Sequence, residues 1–236
     1  MRLCHWLIAA SVLVLAWSGV VILMAHPRLY WGVAGNDLTP AWLELPLGRN
    51  YHHGGWGPPL VFGDPAGAIS QARTYDIFNQ NGWARSLHFL VAWLFALVLA
   101  LYLLIGLATG HLARHLTPRL PELSPANLWR DAKTHLRPAA SASGPPYIAP
   151  QKAAYAAVVL IGLPVMILSG LAMSPAVGAG WPWIPALFGG SQTARSIHFL
   201  ILCGLLLFLV AHLTMVVVTG FGRQMRAMIW GGRRGP

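Results

Sequence analysis

Residues 194–219 limit what this chain can become more than any other stretch. They read Ala-Arg-Ser-Ile-His-Phe-Leu-Ile-Leu-Cys-Gly-Leu-Leu-Leu-Phe-Leu-Val-Ala-His-Leu-Thr-Met-Val-Val-Val-Thr, with no acid, no Lys and no Pro. A bilayer core takes about 20 apolar residues in a helix, so this run is long enough to cross it. Two histidines interrupt it, His198 and His212. Fourteen residues at 100° each make almost four turns, so both imidazoles leave the helix on nearly the same face, about 21 Å apart along its axis. An ionisable side chain in a membrane span is costly and usually marks a pathway or a ligand. The plainer alternative is that each His hydrogen-bonds a neighbouring helix.

Three more runs have spanning length, roughly 3–25, 87–109 and 154–173, with the fourth at 197–219. Charged residues make up 9% of the chain and hydrophobic ones 56%, against about 25% charge in a soluble domain. The expected fold is therefore an all-α integral membrane protein, a four-helix transmembrane bundle forming a single domain over 1–236. The net charge of +10 does not point to nucleic acid, because the basic residues flank the spans and form no stripe. Arg2, six residues between 114 and 152, and Arg223, Arg226, Arg233 and Arg234 fall on one side, eleven in all; Arg28, Arg49, Arg73, Arg85 and Arg195 fall on the other. Basic residues collect on the cytoplasmic side. Both termini and the 110–153 loop are therefore expected in the cytoplasm, with a long periplasmic segment at 26–84. The Met-Arg start is too weakly basic, and the run after it too long, for a signal peptide, so the first span reads as uncleaved.

The 26–84 segment is rich in Pro, Gly and Trp, including His26-Pro27-Arg28-Leu29-Tyr30-Trp31-Gly32. Trp and Tyr favour the headgroup zone, so the segment is expected to lie across the periplasmic mouth of the bundle, with a short interfacial helix at Ala68–Gln80. His52-His53 has no acid or Cys in metal-ligand spacing beside it. The proline-rich 110–150 stretch reads as irregular, and the tail after Gly220 as short and basic. Cys4 and Cys203 differ in depth, which argues against a disulfide. No Cys-x-x-Cys-His is present, so any haem is held without thioether bonds.

The chain repeats itself. Ala84-Arg85-Ser86-Leu87-His88-Phe89-Leu90 and Ala194-Arg195-Ser196-Ile197-His198-Phe199-Leu200 differ only in Leu for Ile, at an offset of 110. Ser169-Gly170 echoes Ser18-Gly19, small residues suited to close helix packing. The bundle thus reads as two helical hairpins. Tyr155 stands near the place of His5 in the second copy, and Tyr102 in the place of His212 in the first.

Sorted by depth, the span histidines form two pairs: His5 with His212 toward the cytoplasm, His88 with His198 toward the periplasm. Each pair offers two axial imidazoles to a haem iron, an arrangement that leaves no open metal position and suits electron transfer. Arg2, Arg85 and Arg195 each precede a histidine by three residues, on the same helix face. There a guanidinium can meet a propionate carboxylate, unless it only snorkels to the interface. His111 and His115, beside Arg114, follow the second span on the cytoplasmic side and are candidates for a quinone region.

The Arg-x-x-His opening of the first span, the single His opening the second and the two His fourteen apart on the fourth resemble the bacterial di-haem cytochrome b561 group, which includes the cytochrome b subunits of hydrogenase and formate dehydrogenase. The resemblance covers all four spans. It implies two haem b groups, one held by His88 and His198, the other by His5 and His212. The segment around His26–Gly32 is similar to a narrower branch, the thiosulfate-reductase-type cytochrome b subunits, and implies a periplasmic molybdopterin oxidoreductase as partner and exchange with a membrane quinone. No catalytic Ser/His/Asp set, phosphate loop or paired carboxylates accompany these residues, so substrate chemistry is expected elsewhere. Two other classes stay open on the residues alone: a histidine-lined metal or proton transporter, and a cofactor-free anchor. Broken helices and intramembrane carboxylates, expected of the first, are not evident.

Overall fold

A computed structural model of the protein describes residues 1–36, 39–47, 81–117, 124–127, 129 and 149–231. His52, His53 and the expected helix at Ala68–Gln80 lie outside the described residues, as does most of the 110–153 loop. The described structure is mainly helical. Among the described residues four helices are long and apolar enough to cross a membrane: Arg2–Ala25, Gly82–Ala108, Pro150–Ala172 and Ser191–Val218. All four expected spans are present. The second and fourth begin about six residues earlier than hydropathy alone placed them, which brings Arg85 and Arg195 inside regular helix.

Helix α1 (Arg2–Ala25) stops where His26 precedes Pro27, since a residue before proline avoids helical backbone. Helix α2 (Asn81–Ala108) ends at Thr109-Gly110, with Gly110 at φ 66° and its N–H on the Leu107 carbonyl. Helix α6 (Ser191–Val218) ends the same way at Thr219-Gly220, with Gly220 at φ 103° and its N–H on Val217. A left-handed glycine closes a helix without the Cβ penalty. The internal repeat thus extends from the openings of these two helices to their caps. Helix α3 runs from Ala149 to Ala172 in three pieces. An α-helical Ala149–Ala156 widens to a π-helical Ala157–Gly162 before Leu163–Ala172 resumes the α form. The cause is local: Pro164 has no N–H to give the preceding turn and its ring crowds the carbonyl four residues back, and the Leu163 N–H reaches back to Val158.

Two short helices, α4 (Pro175–Gly180) and α5 (Trp183–Leu187), join α3 to α6. After Gly220 the tail forms a helix, α7 (Phe221–Ile229), where the composition had read only as a basic end.

The described residues fall into two compact units. One draws on Met1–Trp6, Leu99–Pro164 and Cys203–Pro236; the other on Leu7–Val98 and Val165–Leu202. In the second unit, strands β1 (Arg28–Leu29) and β2 (Leu43–Glu44) pair antiparallel, Arg28 opposite Glu44. This small ribbon is fastened to the start of α6. The Gly32 carbonyl accepts from the N–H groups of Gln192 and Thr193, two of the donors a helix start leaves unpaired. Gly32 N–H donates to Thr193 Oγ1 at 2.7 Å, Ser196 Oγ donates to the Tyr30 carbonyl at 2.6 Å, and Trp42 Nε1 donates to Ser196 Oγ at 2.9 Å. Gly190 sits at φ 124°, close against the backbone of Gly32 and Val33, where no side chain fits. Leu29 and Tyr30 are buried in this contact. The described part of the segment after α1 is thus a packed collar on the α6 start.

In the first unit, a π-helical turn at Leu112–Leu116 follows Gly110 and packs against Ala149–Ala156. Leu112 lies so close to Gly106 that a Cβ there would come to 2.8 Å from its side chain and force it to shift.

A candidate bis-imidazole site in each unit

The second unit brings His88 from α2 and His198 from α6 together. Their ring centres are 6.4 Å apart and the ring planes are inclined at 58°. Both rings are half-buried. Ser18 of α1 lies 2.9 Å from His88 Nδ1, and Ser169 of α3 lies 2.9 Å from His198 Nδ1. Gly19 and Gly170 stand next to these serines and face the same rings. A Cβ at either position would come to 3.5 Å from the imidazole Cε1, so a methyl would touch the ring and a longer side chain would displace it.

The first unit brings His5 of α1 to His212 of α6. Here the ring centres are 6.3 Å apart and the planes inclined at 54°. Phe208 stacks on His212 at 5.9 Å and 14°, and Tyr155 meets His212 edge-on at 6.1 Å. The Tyr155 hydroxyl lies 3.4 Å from His212 Nδ1 and accepts from Gln151 Nε2 at 3.0 Å. Among the described residues His5 Nδ1 is buried without a hydrogen-bond partner, which is uncommon for a polar atom.

Both pairs suit a metal held between two imidazoles. With a metal–nitrogen bond of about 2.0 Å, and about 1.2 Å from nitrogen to ring centre, two rings on opposite sides of one metal have centres about 6.4 Å apart. The two observed separations match that figure. Ordinary ring contacts span the same range, as His88 and Phe89 do at 6.4 Å; the separations fit a metal between the rings without by themselves requiring one. Among the described residues no group of three or more His, Cys, Asp or Glu is arranged to hold a metal ion; each candidate site is a pair of imidazoles.

The arginines fall out differently. Arg2 and Arg85 are exposed on their helices, one turn before His5 and His88. Arg2 lies against Gly231. Arg195 is half-buried, and its guanidinium donates to the His26 carbonyl, tying α6 to the end of α1. That bond occupies part of a five-donor fork; the spacing did not predict it. Arg114 is exposed and folds back on the end of α2, donating through Nε to the Gly110 carbonyl at 3.2 Å and through its other end to Thr109. His111 starts the π-helical turn that also carries His115. Residue reading missed Ser18 and Ser169 as partners of the histidines, although their Ser-Gly echo was the signal. It also missed Phe208, whose position four before His212 puts it on the same face.

Comparison with known proteins agrees with this geometry. The family model described as prokaryotic cytochrome b561 matches residues 1–231. A curated relative, "Putative protein-methionine-sulfoxide reductase subunit YedZ1" of Azospira oryzae, is 27% identical over 231 residues, covering 98% of this chain and 93% of its own length. No solved structure matches the chain.

Proposed function

The chain belongs to the prokaryotic cytochrome b561 family, and from that premise we propose that it is a di-haem subunit carrying electrons across the bacterial inner membrane between a quinone and a periplasmic oxidoreductase. Family membership makes it a multi-pass bacterial membrane protein, a b-type cytochrome working in electron transfer. The proposal adds the number of haems, their ligands, the orientation and the partners.

His88 and His198 hold one haem b toward the periplasm; His5 and His212 hold the other toward the cytoplasm, within a single membrane domain. The observation that carries this reading is the matched separation of the two pairs, 6.4 and 6.3 Å. Bound between two imidazoles, each haem supplies a one-electron carrier with no open iron position. The chain's own residues orient the ligands and keep them out of water. Ser18 and Ser169 hold the Nδ1 edges of one pair, while Phe208 and Tyr155 wall one ring of the other. Exposed Arg2 and Arg85, and Arg195 with its remaining donors, stand one turn from their histidines, where they would be available to the carboxylates of a bound haem.

The cytoplasmic end takes the quinone, with His111, Arg114 and His115 after the second span as its candidate residues. The partner is an oxidoreductase outside the membrane. The name of the Azospira oryzae relative supports a reductase, and the resemblance to thiosulfate-reductase-type subunits supports a molybdopterin enzyme. Both termini face the cytoplasm by the distribution of basic residues.

Liposomes with ferricyanide trapped inside test the reading. Added quinol is expected to reduce the trapped ferricyanide only when the protein is present, and His111→Ala with His115→Ala is expected to slow this at unchanged haem content. Quinol that leaves the haems oxidised in wild-type protein would refute the quinone assignment.

A further inference from the structure

Two serines from different helices make the same contact with the two rings of one pair. Ser18 Oγ lies 2.9 Å from His88 Nδ1 and also donates to the Val14 carbonyl at 2.7 Å. Ser169 Oγ lies 2.9 Å from His198 Nδ1 and also donates to the Met166 carbonyl at 3.0 Å. A hydroxyl has one hydrogen and two lone pairs. With the hydrogen given to a main-chain carbonyl, only lone pairs face the ring, so each Nδ1 carries the proton and donates. Nε2 is then the bare nitrogen on both rings, the state a metal ligand needs. Both serines are fully buried, so water does not compete for the contact.

Among the described residues the other pair has no such device: His5 Nδ1 is buried without a partner, and the Tyr155 hydroxyl stands 3.4 Å from His212 Nδ1, too far for a strong bond. The two sites therefore match in ring separation and differ in what holds the rings.

That difference has an electronic consequence. A ligating imidazole that donates its second N–H becomes more basic. A more basic axial ligand favours the ferric over the ferrous ion, and ligand environment is a lever on haem potential. Resting on the di-haem reading above, we infer that Ser18 and Ser169 are positioning residues for the iron held by His88 and His198, fixing the tautomer of both ligands and making this iron the harder of the two to reduce. At equilibrium electrons then collect at the His5–His212 site. Transfer from the His88–His198 end runs downhill, and transfer the other way draws on the driving force of the donor and acceptor.

The test is a redox titration of the full-length protein in detergent, followed by b-type absorbance and by electron paramagnetic resonance. Wild type is expected to show two midpoints. Ser18→Ala and Ser169→Ala should each raise the lower midpoint and leave the upper one in place. Loss of one modest hydrogen bond per iron corresponds to a change on the order of threefold to tenfold in the reduction equilibrium, tenfold being about 59 mV for a one-electron couple. Ser18→Cys keeps nearly the same volume with a weak acceptor, and should act like alanine even if alanine disturbs packing. Ser18→Thr keeps the hydroxyl and should restore the wild-type value. A lower midpoint unmoved in the alanine and cysteine variants, with both haems bound, would overturn the inference and leave the di-haem reading standing. Wild-type protein binding fewer than two haems would overturn the di-haem reading itself, and this inference with it.

Discussion

Replacing His198 by alanine is expected to leave one b-type haem per chain instead of two, the survivor being held by His5 and His212. The variant removes one of only two imidazoles at its site. Alanine offers no donor, and His88, 6.4 Å from the lost ring, is left as a single ligand. The Ser169 hydroxyl loses its ring partner but keeps its bond to the Met166 carbonyl, so the main loss is the ligand itself. Haem left with one ligand should not survive purification. The His5–His212 site draws on other residues, in the other compact unit, so its haem should remain. The retained haem also reports that the variant has folded. Haem assay per chain after detergent purification reads the result, and quinol-driven reduction of trapped ferricyanide should fall to background. Two haems per chain in this variant would mean that His198 is not a ligand.

His212→Ala is expected to remove the other haem and to separate two reductants that act alike on wild type. His212 packs against Phe208 and Tyr155 and faces His5 at 6.3 Å. His5 Nδ1 has no partner to hold its ring, so the lone remaining ligand is poorly anchored. Dithionite, which needs no specific site, should still reduce the haem between His88 and His198. Quinol should not, because its point of entry lies at the cytoplasmic end, as the lost site does. Equal reduction by both agents would place quinone oxidation at the His88–His198 end and reverse the proposed arrangement.

Much of this was written in the chain. Two histidines fourteen apart on one span, and the repeated Ala-Arg-Ser-x-His-Phe-Leu, pointed to the two pairs, because a helix's periodicity turns spacing directly into shared faces. The Ser-Gly echo was visible but read as packing alone. Its contact to the rings joins residues 70 positions apart in one case and 29 in the other, and local spacing does not predict a hydroxyl meeting a ring across two helices. Arg195 is a similar case: its bond to the His26 carbonyl joins the end of α1 to a helix start 169 positions later in the chain. The tail helix Phe221–Ile229 was legible in principle. Phe221, Met225 and Met228 fall on one face and Arg223 and Arg226 on the other at helical spacing, but nearby glycines and arginines read as a loose basic end. The π-helical stretch before Pro164 was marked only by the proline, which signals a disturbance without fixing its form.

Two pairs of imidazoles, each gripping an iron, are what the proposed function requires. Haem extracted from purified wild-type protein and assayed against chain concentration, with the reduced-minus-oxidised spectrum of the same sample, tests this most directly. Two haems per chain with a b-type spectrum, and low-spin ferric signals of bis-imidazole iron, are the expected result. One haem or none, or a high-spin signal from iron with an open position, would contradict it.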